Sequence, residues 1–371
     1  MRVMKMRTHR KAKTTPFGRQ AAFRGGWLEG WRLGACRGIE QAIASPAGQA
    51  RIGRVLYVPQ GFEAIDNGII EALRGNVTDV LVGSNDQLRR QTEQFKPDLV
   101  VVLNGVHLFA KDYPHQLGDV RRMGIPAAVW FVDDPYVTDD TVNLAPHYDY
   151  VFTHERACVK LYESIGCANV HHLPLAAHFG TFRPMAVPEA YESDVCFIGT
   201  GFPNRIAMFD RIAPYLRGKK VVIAGGLWHR MSRFQLVERF VRPSGVPVPE
   251  SALYYNGAKI VINLHRVPGE SPENRNARNW PAESINPRTY DMSACGTLQL
   301  TDMRGELPSM YEIGSELAVY RDAKDLVDKI DHYLKNDAER LLVAARGYRR
   351  TRTRHTFDDR IKKMLDIVGL R

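Results

Sequence analysis

The stretch 285–302 contains residues whose types and order suit a phosphate ligand. Asn286, Pro287, Arg288 and Thr289 open a predicted helix, and proline fits its first turn because the missing N–H costs nothing there. Free backbone N–H groups at a helix start attract anions, and Arg288 adds a full positive charge. The alternative is a capped helix that packs on a sheet and binds no ligand.

A helix end, a buried strand and two carboxylates complete this stretch. Ala294-Cys295-Gly296 ends the predicted helix with the glycine that a left-handed C-cap prefers, and Leu298 lies in the strand that follows. Glu283 and Asp291 stand with seven residues between them. In open α/β sheets, ligands bind where helices start above the ends of strands, so the stretch predicts a binding corner.

A second phosphate-binding turn is predicted after the strand 194–199. The turn and the start of the next helix contain Gly199, Thr200, Gly201, Asn204 and Arg205. A strand, a glycine turn and an arginine at a helix start together favour a phosphate. The turn matches neither a Walker A motif nor a dinucleotide fingerprint, so by itself it does not identify a function.

Two further predicted strands end at candidate positions for the nucleotide side of the site. The strand 220–224 ends at Gly225, and the strand 260–264 contains Asn263 and leads to His265. His265 is a candidate contact for the base or the ribose. A buried histidine with a structural hydrogen bond is an equal alternative.

Three strands in the first half of the chain deliver polar side chains to one rim. The predicted strands 99–103, 125–132 and 150–153 are followed by His107, by Asp133-Asp134 and by His154. Because parallel strands end at the same edge of a sheet, these titratable groups are expected to converge. A group of this kind suits a general base that takes a proton from a hydroxyl. Asp133 is the first candidate, with His107 and His154 behind it.

Each of these candidates has a structural alternative. Asp133 or Asp134 can cap the turn before Pro135, a common role for aspartate, and the two histidines can be hydrogen-bonded rim residues. The pairs Asp133-Asp134 and Asp139-Asp140 suggest a metal ligand set. Neither is an Asp-x-Asp set on the nucleotide side, so no metal is expected.

Length and composition predict a two-domain globular protein. A chain of 371 residues is long for one core, and its 44% hydrophobic content is ordinary. It has no run of eighteen apolar residues that predicts a transmembrane segment, and its basic N-terminus lacks the apolar region of a secretory signal. Five scattered cysteines fit reduced thiols, so a cytoplasmic location is expected.

The net charge of +10 lies in the N-terminal arm, residues 1–53, together with Arg54. Residues 1–54 contain twelve Lys/Arg and two Glu, and the rest of the chain is balanced. Residues 1–16 are expected to be disordered, and 17–44 to form an accessory helix. The basic arm leaves nucleic acid or an anionic surface open as a partner, and the repeated glycines of the helix leave a second copy of the chain open.

Motifs from about residue 54 onward resemble the CgeB-like spore-maturation glycosyltransferases, a branch of the group-1 GT-B superfamily. They are PDLVVVLNGVH, WFVDDPY, YDYVFTHE, DVCFIGTGFPNR, YYNGAKIVINLHR, INPRTYDMSACGTLQLTD, ELPSMYE and HTFDDRI. The resemblance implies an α/β fold of the GT-B type, with two Rossmann-like domains that face each other across a cleft. The N-terminal basic helical arm precedes them.

The resemblance also suggests where the domains divide. The expected parts after the arm are an acceptor domain at 54–177, a linker at 178–190, a nucleotide-sugar domain at 191–350, and a C-terminal helix at 351–371 that packs back on the first domain.

The resemblance assigns roles to the two phosphate-binding turns. It implies that the diphosphate is approached by Gly199, Thr200, Gly201, Arg205, Asn286, Arg288 and Thr289. Asp291 would contact the sugar or the ribose, although members of the family usually carry Glu at that position. The expected donor is a nucleoside-diphosphate sugar, most simply a UDP-sugar, and the acceptor is a glycan, a protein or a small molecule.

Three functions on this fold follow from the resemblance. The first is metal-independent transfer of a sugar from the nucleotide donor to an acceptor. The second is epimerisation or hydrolysis of the nucleotide sugar. The third is a nucleotide-sugar-binding protein without catalysis, which the Asp-for-Glu departure at Asp291 suggests.

Overall fold

The computed structural model describes residues 16–43, 53–107, 109–269 and 271–370. The disorder expected for residues 1–16 falls, apart from Pro16, outside these ranges. A long helix, α1 (Pro16–Ala42), comes first, as expected for the accessory helix. Two parallel sheets with helices on both faces follow, which confirms the α/β class with two Rossmann-like units.

The first sheet contains six parallel strands in the order β2-β1-β3-β4-β5-β6. The strands are β1 (Arg54–Val58), β2 (Asp79–Val82), β3 (Leu99–Leu103), β4 (Ala127–Phe131), β5 (Tyr150–Thr153) and β6 (Val170–His172). Its helices are α2 (Glu63–Asn76), α3 (Leu88–Phe95), α4 (Tyr113–Arg122), α5 (Thr138–Leu144) and α6 (Cys158–Ser164). Every residue of β3 and β4 is buried, because helices cover both faces of a parallel sheet.

The second sheet also contains six parallel strands, in the order β12-β11-β10-β7-β8-β9. The strands are β7 (Ser193–Ile198), β8 (Val221–Ala224), β9 (Val241–Arg242), β10 (Ala258–Asn263), β11 (Leu298–Asp302) and β12 (Ala318–Tyr320). Its helices are α7 (Pro203–Leu216), α8 (Phe234–Val237), α9 (Val248–Gly257), α10 (Pro287–Ala294), α11 (Leu307–Met310), α12 (Ala323–Lys335) and α13 (Asp337–Arg354).

The strand order of the second sheet locates its binding edge. β7 lies in the middle, the chain then builds outward through β8 and β9, and it returns to the other side of β7 with β10. The order therefore reverses between β7 and β10. In such sheets the helices on the two sides of the reversal leave a crevice beyond the carboxyl ends of the strands, and ligands bind there.

The last helix, α14 (Phe357–Val368), returns to the first unit and packs against α2. The ring of Phe357 fills the space above Gly68, where a Cβ atom would lie 2.2 Å from the ring. The same ring meets Trp130 edge to face, with the ring centroids 6.3 Å apart. The C-terminal helix thus ties the second unit to the first.

Helix α9 was not predicted from the sequence. It ends at Gly257, directly before β10, which was predicted at 260–264 and is observed at Ala258–Asn263. The helix forms because Pro249 lies within its first turn, where proline is favoured, and because its residues Ala252 and Tyr255 are buried.

Among the described residues, no helix is long and apolar enough to cross a bilayer.

Candidate functional site

A cavity of about 730 Å³ lies between the two sheets. The first unit lines it with side chains that follow β4 and β5, and the second unit with side chains that follow β7 and β10 and with the start of α10. The predicted site residues on its wall are Asp133, His154, Thr200, Arg205, His265, Asn286, Arg288 and Asp291. Groups far apart in sequence therefore meet in one cleft.

Two arginine side chains meet over Gly199, at the carboxyl end of β7. A Cβ atom built on Gly199 would lie 3.0 Å from Nη1 of Arg205 and 3.0 Å from Nη1 of Arg288. Arg205 is almost fully buried, and it donates to the carbonyls of Leu264 and Thr200 at 2.9 Å each. Nη1 of Arg288 is buried without a hydrogen-bond partner. The second unit thus holds two converging cations at the reversal point of its sheet.

The electrostatics of this pair favour an anion. Burial, and next the charge of Arg288, lower the pKa of Arg205 well below its usual range. A guanidinium nevertheless stays protonated in proteins, so two positive charges remain close together. A diphosphate placed between them would relieve their repulsion and satisfy the free donor of Arg288.

The start of α10 is built by side chains from two elements. Asn286 is the N-cap, and its Oδ1 accepts from the backbone N–H of Thr289 at 3.0 Å. Asn263, at the end of β10, donates to the Thr289 hydroxyl at 2.9 Å and accepts from Asn286 at 2.9 Å. Because Asn263 and Thr289 are completely buried and do not line the cavity, they position the helix start rather than contact a ligand directly.

The glycines predicted to cradle a phosphate allow two turns to approach each other. Gly199 donates its N–H to the carbonyl of Ala224 at 2.7 Å, and Gly201 donates to that of Gly226 at 2.8 Å. Gly225 does not line the cavity. Its φ is +140°, and a Cβ atom there would lie 2.2 Å from the Gly199 carbonyl oxygen. The absence of a side chain at Gly225 therefore allows the Gly199 turn to pack directly against it.

We expect Gly225→Ala to lower the free energy of unfolding by at least about 2 kcal/mol, because the new methyl group would displace the Gly199 turn. Urea unfolding measures this change. Gly226→Ala is the matched control, since the nearest atom to its Cβ position is 4.0 Å away. Equal losses of stability in the two variants would contradict this role for Gly225.

His265 has one nitrogen fixed and one facing the cavity. Its Nδ1 lies 2.6 Å from Oδ1 of Asp302, and its backbone N–H donates to the same oxygen at 2.9 Å. Nε2 is buried and has no hydrogen-bond partner. Burial lowers the pKa of the imidazole, against the opposing effect of Asp302. A neutral His265 with its proton on Nδ1 presents Nε2 as an acceptor for a donor hydroxyl.

Two other predicted residues of the nucleotide side have different surroundings. Asn204 donates to the His265 carbonyl at 2.8 Å and lies outside the cavity lining. Asp291 lines the cavity, and burial raises the pKa of its carboxyl well above the usual range, against the effect of Arg288. Glu283, eight residues before it, pairs with Arg156 at 2.6 Å and does not line the cavity. The two carboxylates therefore do not share one binding surface.

The first unit contributes one free imidazole nitrogen and one carboxylate. Nε2 of His154 lies 2.8 Å from the Asp134 carbonyl oxygen, so it carries the proton, whereas Nδ1 is buried without a partner. Burial lowers the pKa of His154, and the hydrogen bond to the Asp134 carbonyl, the charge of Glu306 and the charge of Asp133 partly oppose this. Asp133 accepts from Nδ2 of Asn104 at 2.6 Å. Both side chains line the cavity, and either can take a proton from a hydroxyl.

Asp134, next to Asp133, is completely buried and belongs to a hydrogen-bond network. It accepts from the hydroxyl of Tyr162 at 2.8 Å and from that of Thr153 at 2.7 Å. Burial raises its pKa to about 7. Because an aspartate in an unfolded chain titrates near pH 4, the folded state binds more protons between pH 4 and 7. The contribution of Asp134 to stability is therefore full at low pH and is lost as the pH rises through about 7.

We expect the free energy of unfolding to include a term that falls as the pH rises from about 4 to 7, with a slope of up to about 1.4 kcal/mol per pH unit. Asp134→Asn should remove this term, because asparagine does not ionise. Urea unfolding across this pH range measures it, with Asp133→Asn as the control that leaves Asp134 in place. An identical pH dependence in both variants would rule out Asp134 as the origin.

His107 was expected beside Asp133 and His154, but it lies outside the cavity between the sheets. It is exposed in a loop with a φ of +63°, beside a separate surface pocket that Phe109 and Lys111 also line. The reason is that the chain turns away from the rim at Asn104 and Gly105, which also have positive φ angles.

Some residues at the cleft were not among the predicted site residues. Arg266 lines it, with its guanidinium 4.7 Å from the ring centroid of Tyr136 and 4.3 Å from that of Phe202. Asp302 orients His265. Arg266 directly follows His265, and Asp302 ends β11, the strand after α10. Their positions at strand ends were therefore the signal by which the sequence could have identified them.

In the described parts of the chain, no group of His, Cys, Asp and Glu is arranged to hold a metal ion.

Comparisons with known proteins agree with this geometry. A family described as "Glycosyl transferase-like" matches residues 205–366. Among solved structures, HepE of Anabaena in complex with UDP-glucose has a TM-score of 0.59 at 10% identity, covering 85% of this chain and 99% of that one. A glycosyltransferase of Rickettsia africae has a TM-score of 0.56 at 11% identity, covering 86% and 98%. At these identities the structures establish a shared fold.

The chain thus has the fold of GT-B glycosyltransferases, and its residues 205–366 match the glycosyl transferase-like family. The chain is 28% identical to spore protein CgeB of Bacillus subtilis over 318 residues, which are 82% of this chain and 96% of that protein. This similarity confirms the resemblance seen in the sequence motifs.

Proposed function

We propose that this protein transfers a sugar from a UDP-sugar to an acceptor hydroxyl without a metal ion. The observation that carries the proposal is the convergence of Arg205 and Arg288 over Gly199, with a buried guanidinium nitrogen that has no partner. In glycosyl transfer the leaving diphosphate gains negative charge, and preorganised cations stabilise that charge. HepE, which shares the fold, is recorded with UDP-glucose, and this supports uridine as the nucleoside.

The two faces of the cleft suggest how the reaction proceeds. The Arg205–Arg288 pair and the start of α10 hold the diphosphate, while His265 and Asp291 contact hydroxyls of the ribose or the sugar. The acceptor lies against the first unit, where Nδ1 of His154 removes its proton. We place His154 ahead of Asp133 as the base because its Nδ1 is free, whereas Asp133 already accepts from Asn104. The acceptor oxygen then bonds to the anomeric carbon as the bond to the diphosphate breaks.

The remaining parts of this proposal concern the setting of the enzyme. The five cysteines are all unpaired, and four of them are buried, which supports a reducing compartment such as the cytoplasm. The acceptor is a glycan, a protein or a small molecule with a free hydroxyl. The domains divide near residues 177 and 191, and α14 completes the first of them.

A thermal-shift screen tests the proposal. UDP and one or more UDP-sugars should raise the melting temperature more than the other nucleoside diphosphates, because a ligand that binds only the folded state stabilises it. The shift should persist in EDTA. Incubation with the selected UDP-sugar alone then separates the functions. Free sugar or an epimer would favour hydrolysis or epimerisation. The absence of both products would favour transfer. If no nucleotide shifts the melting temperature, the assignment of the diphosphate site is wrong.

A further inference from the structure

Helix α1 is attached to the second unit through a buried arginine. Nη1 of Arg32 donates to the carbonyl of Cys295 at 2.7 Å and to Oδ1 of Asn256 at 3.1 Å, and its Nη2 donates to the carbonyl of Met185 at 3.0 Å. Only 6% of Arg32 is exposed, and Cys36, one turn later, is buried as well. The inward face of α1 is therefore fixed on the body of the protein.

The outward face of α1 is aromatic and uncovered. Phe23, Trp27 and Trp31 follow one another at intervals of four residues and are 77%, 60% and 38% exposed. They are the large exposed aromatic side chains of the described residues. Glycines recur at the same interval of four residues, at positions 26, 30, 34 and 38, and nothing lies within 4 Å of their Cβ positions. We call Phe23, Trp27 and Trp31 the aromatic face.

The sequence that leads into this face is strongly basic. Residues 1–22 contain seven Lys/Arg and no Asp or Glu, whereas residues 55–371 carry no net charge. The excess positive charge of the chain thus lies in the sequence that precedes the aromatic face. A surface that covers both must be negatively charged and must also accept apolar rings.

We propose that the aromatic face binds the surface of an anionic lipid membrane. Tryptophan and phenylalanine rings partition to the boundary between headgroups and acyl chains, and Lys/Arg beside them are attracted to anionic lipids. A second copy of the chain would cover the rings but offers the basic segment no net negative partner. Duplex nucleic acid would neutralise the segment but leaves the rings uncovered. The proposal does not depend on the glycosyl donor or acceptor.

Co-sedimentation of the full chain with vesicles tests this inference. Vesicles of phosphatidylcholine with about a third of phosphatidylglycerol should bind the protein, and vesicles of phosphatidylcholine alone should bind it at least tenfold more weakly. Binding should weaken as salt is raised, because the charges on the arm are screened. Tryptophan emission should shift to shorter wavelength on binding, as Trp27 and Trp31 leave water.

Two sets of variants separate the rings from the charges. The double variant Trp27→Ser, Trp31→Ser should lower the affinity for anionic vesicles at least tenfold and abolish the emission shift. Replacement of Lys11 and Lys13 by Gln should lower the affinity about fivefold per residue, the usual effect of one basic residue near a charged bilayer. Met303→Ser, which removes a side chain that is 53% exposed outside α1, is the control and should bind like the wild type.

Other results would overturn the inference. If the double variant, with an unchanged melting temperature, binds anionic vesicles as tightly as the wild type, the aromatic face is not the contact. If sedimentation velocity without lipid shows a dimer that the double variant loses, the face is an interface between copies. If the chain binds duplex DNA but not anionic vesicles, the basic segment is a nucleic-acid arm.

Discussion

Arg288→Ala is expected to lower the rate of transfer by roughly two to four powers of ten, the scale of losing a main electrostatic group. Arg288 is one of the two guanidinium groups over Gly199, and its Nη1 has no partner within the protein. Its loss removes charge from the place where the leaving diphosphate becomes more negative. Affinity for UDP should fall as well, since the diphosphate is also charged in the ground state.

Steady-state kinetics with the UDP-sugar selected by thermal shift, and calorimetry with UDP, measure these two effects. Arg288→Lys keeps the charge but loses the planar fork, so it should restore part of the rate. Arg321→Ala is the matched control, because this arginine is exposed and pairs with Asp325 on the surface. Unaltered kinetics in Arg288→Ala would remove Arg288 from the site, and equal losses in both alanine variants would indicate a nonspecific effect of charge.

His154→Gln is expected to lower transfer by roughly two to four powers of ten while UDP binds normally, because a general base contributes on this scale. Glutamine keeps a donor for the Asp134 carbonyl, so the local fold should survive. Asp133→Asn should also spare donor binding and depress transfer, but less, since Asp133 already accepts a hydrogen bond from Asn104 and is not the proposed base.

The pH profile distinguishes the two candidate bases. His154 is active only when Nδ1 is unprotonated, and burial lowers its pKa, so the wild-type rate should rise with pH over the acid range and level off by neutral pH. In Asp133→Asn one of the two carboxylates that favour protonated His154 is absent while Glu306 remains, so the midpoint of the profile should move modestly to lower pH. A larger loss in Asp133→Asn than in His154→Gln, with no move of the midpoint, would make Asp133 the base.

Local patterns in the sequence predicted strands and helix starts, but not the contacts between residues far apart in the chain. The hydrophobic run 99–103 predicted an interior strand with its observed bounds, because a strand buried on both faces must be apolar throughout. The helix start at Asn286 was also predicted from the sequence, since capping depends on neighbouring residues. The strand ends at 133 and 154 were predicted to share a rim, and they do line one cavity.

What the sequence alone determined is the class of the protein, the two sheets and the strand ends where polar groups stand. The tertiary structure decided which of those groups meet: it placed Arg205 beside Arg288, turned His107 out of the cleft, and separated Glu283 from Asp291. The physical reason is that secondary structure follows local patterns of burial and capping. The distance between two side chains on different strands depends on sheet order and on loop conformation, which those patterns do not encode.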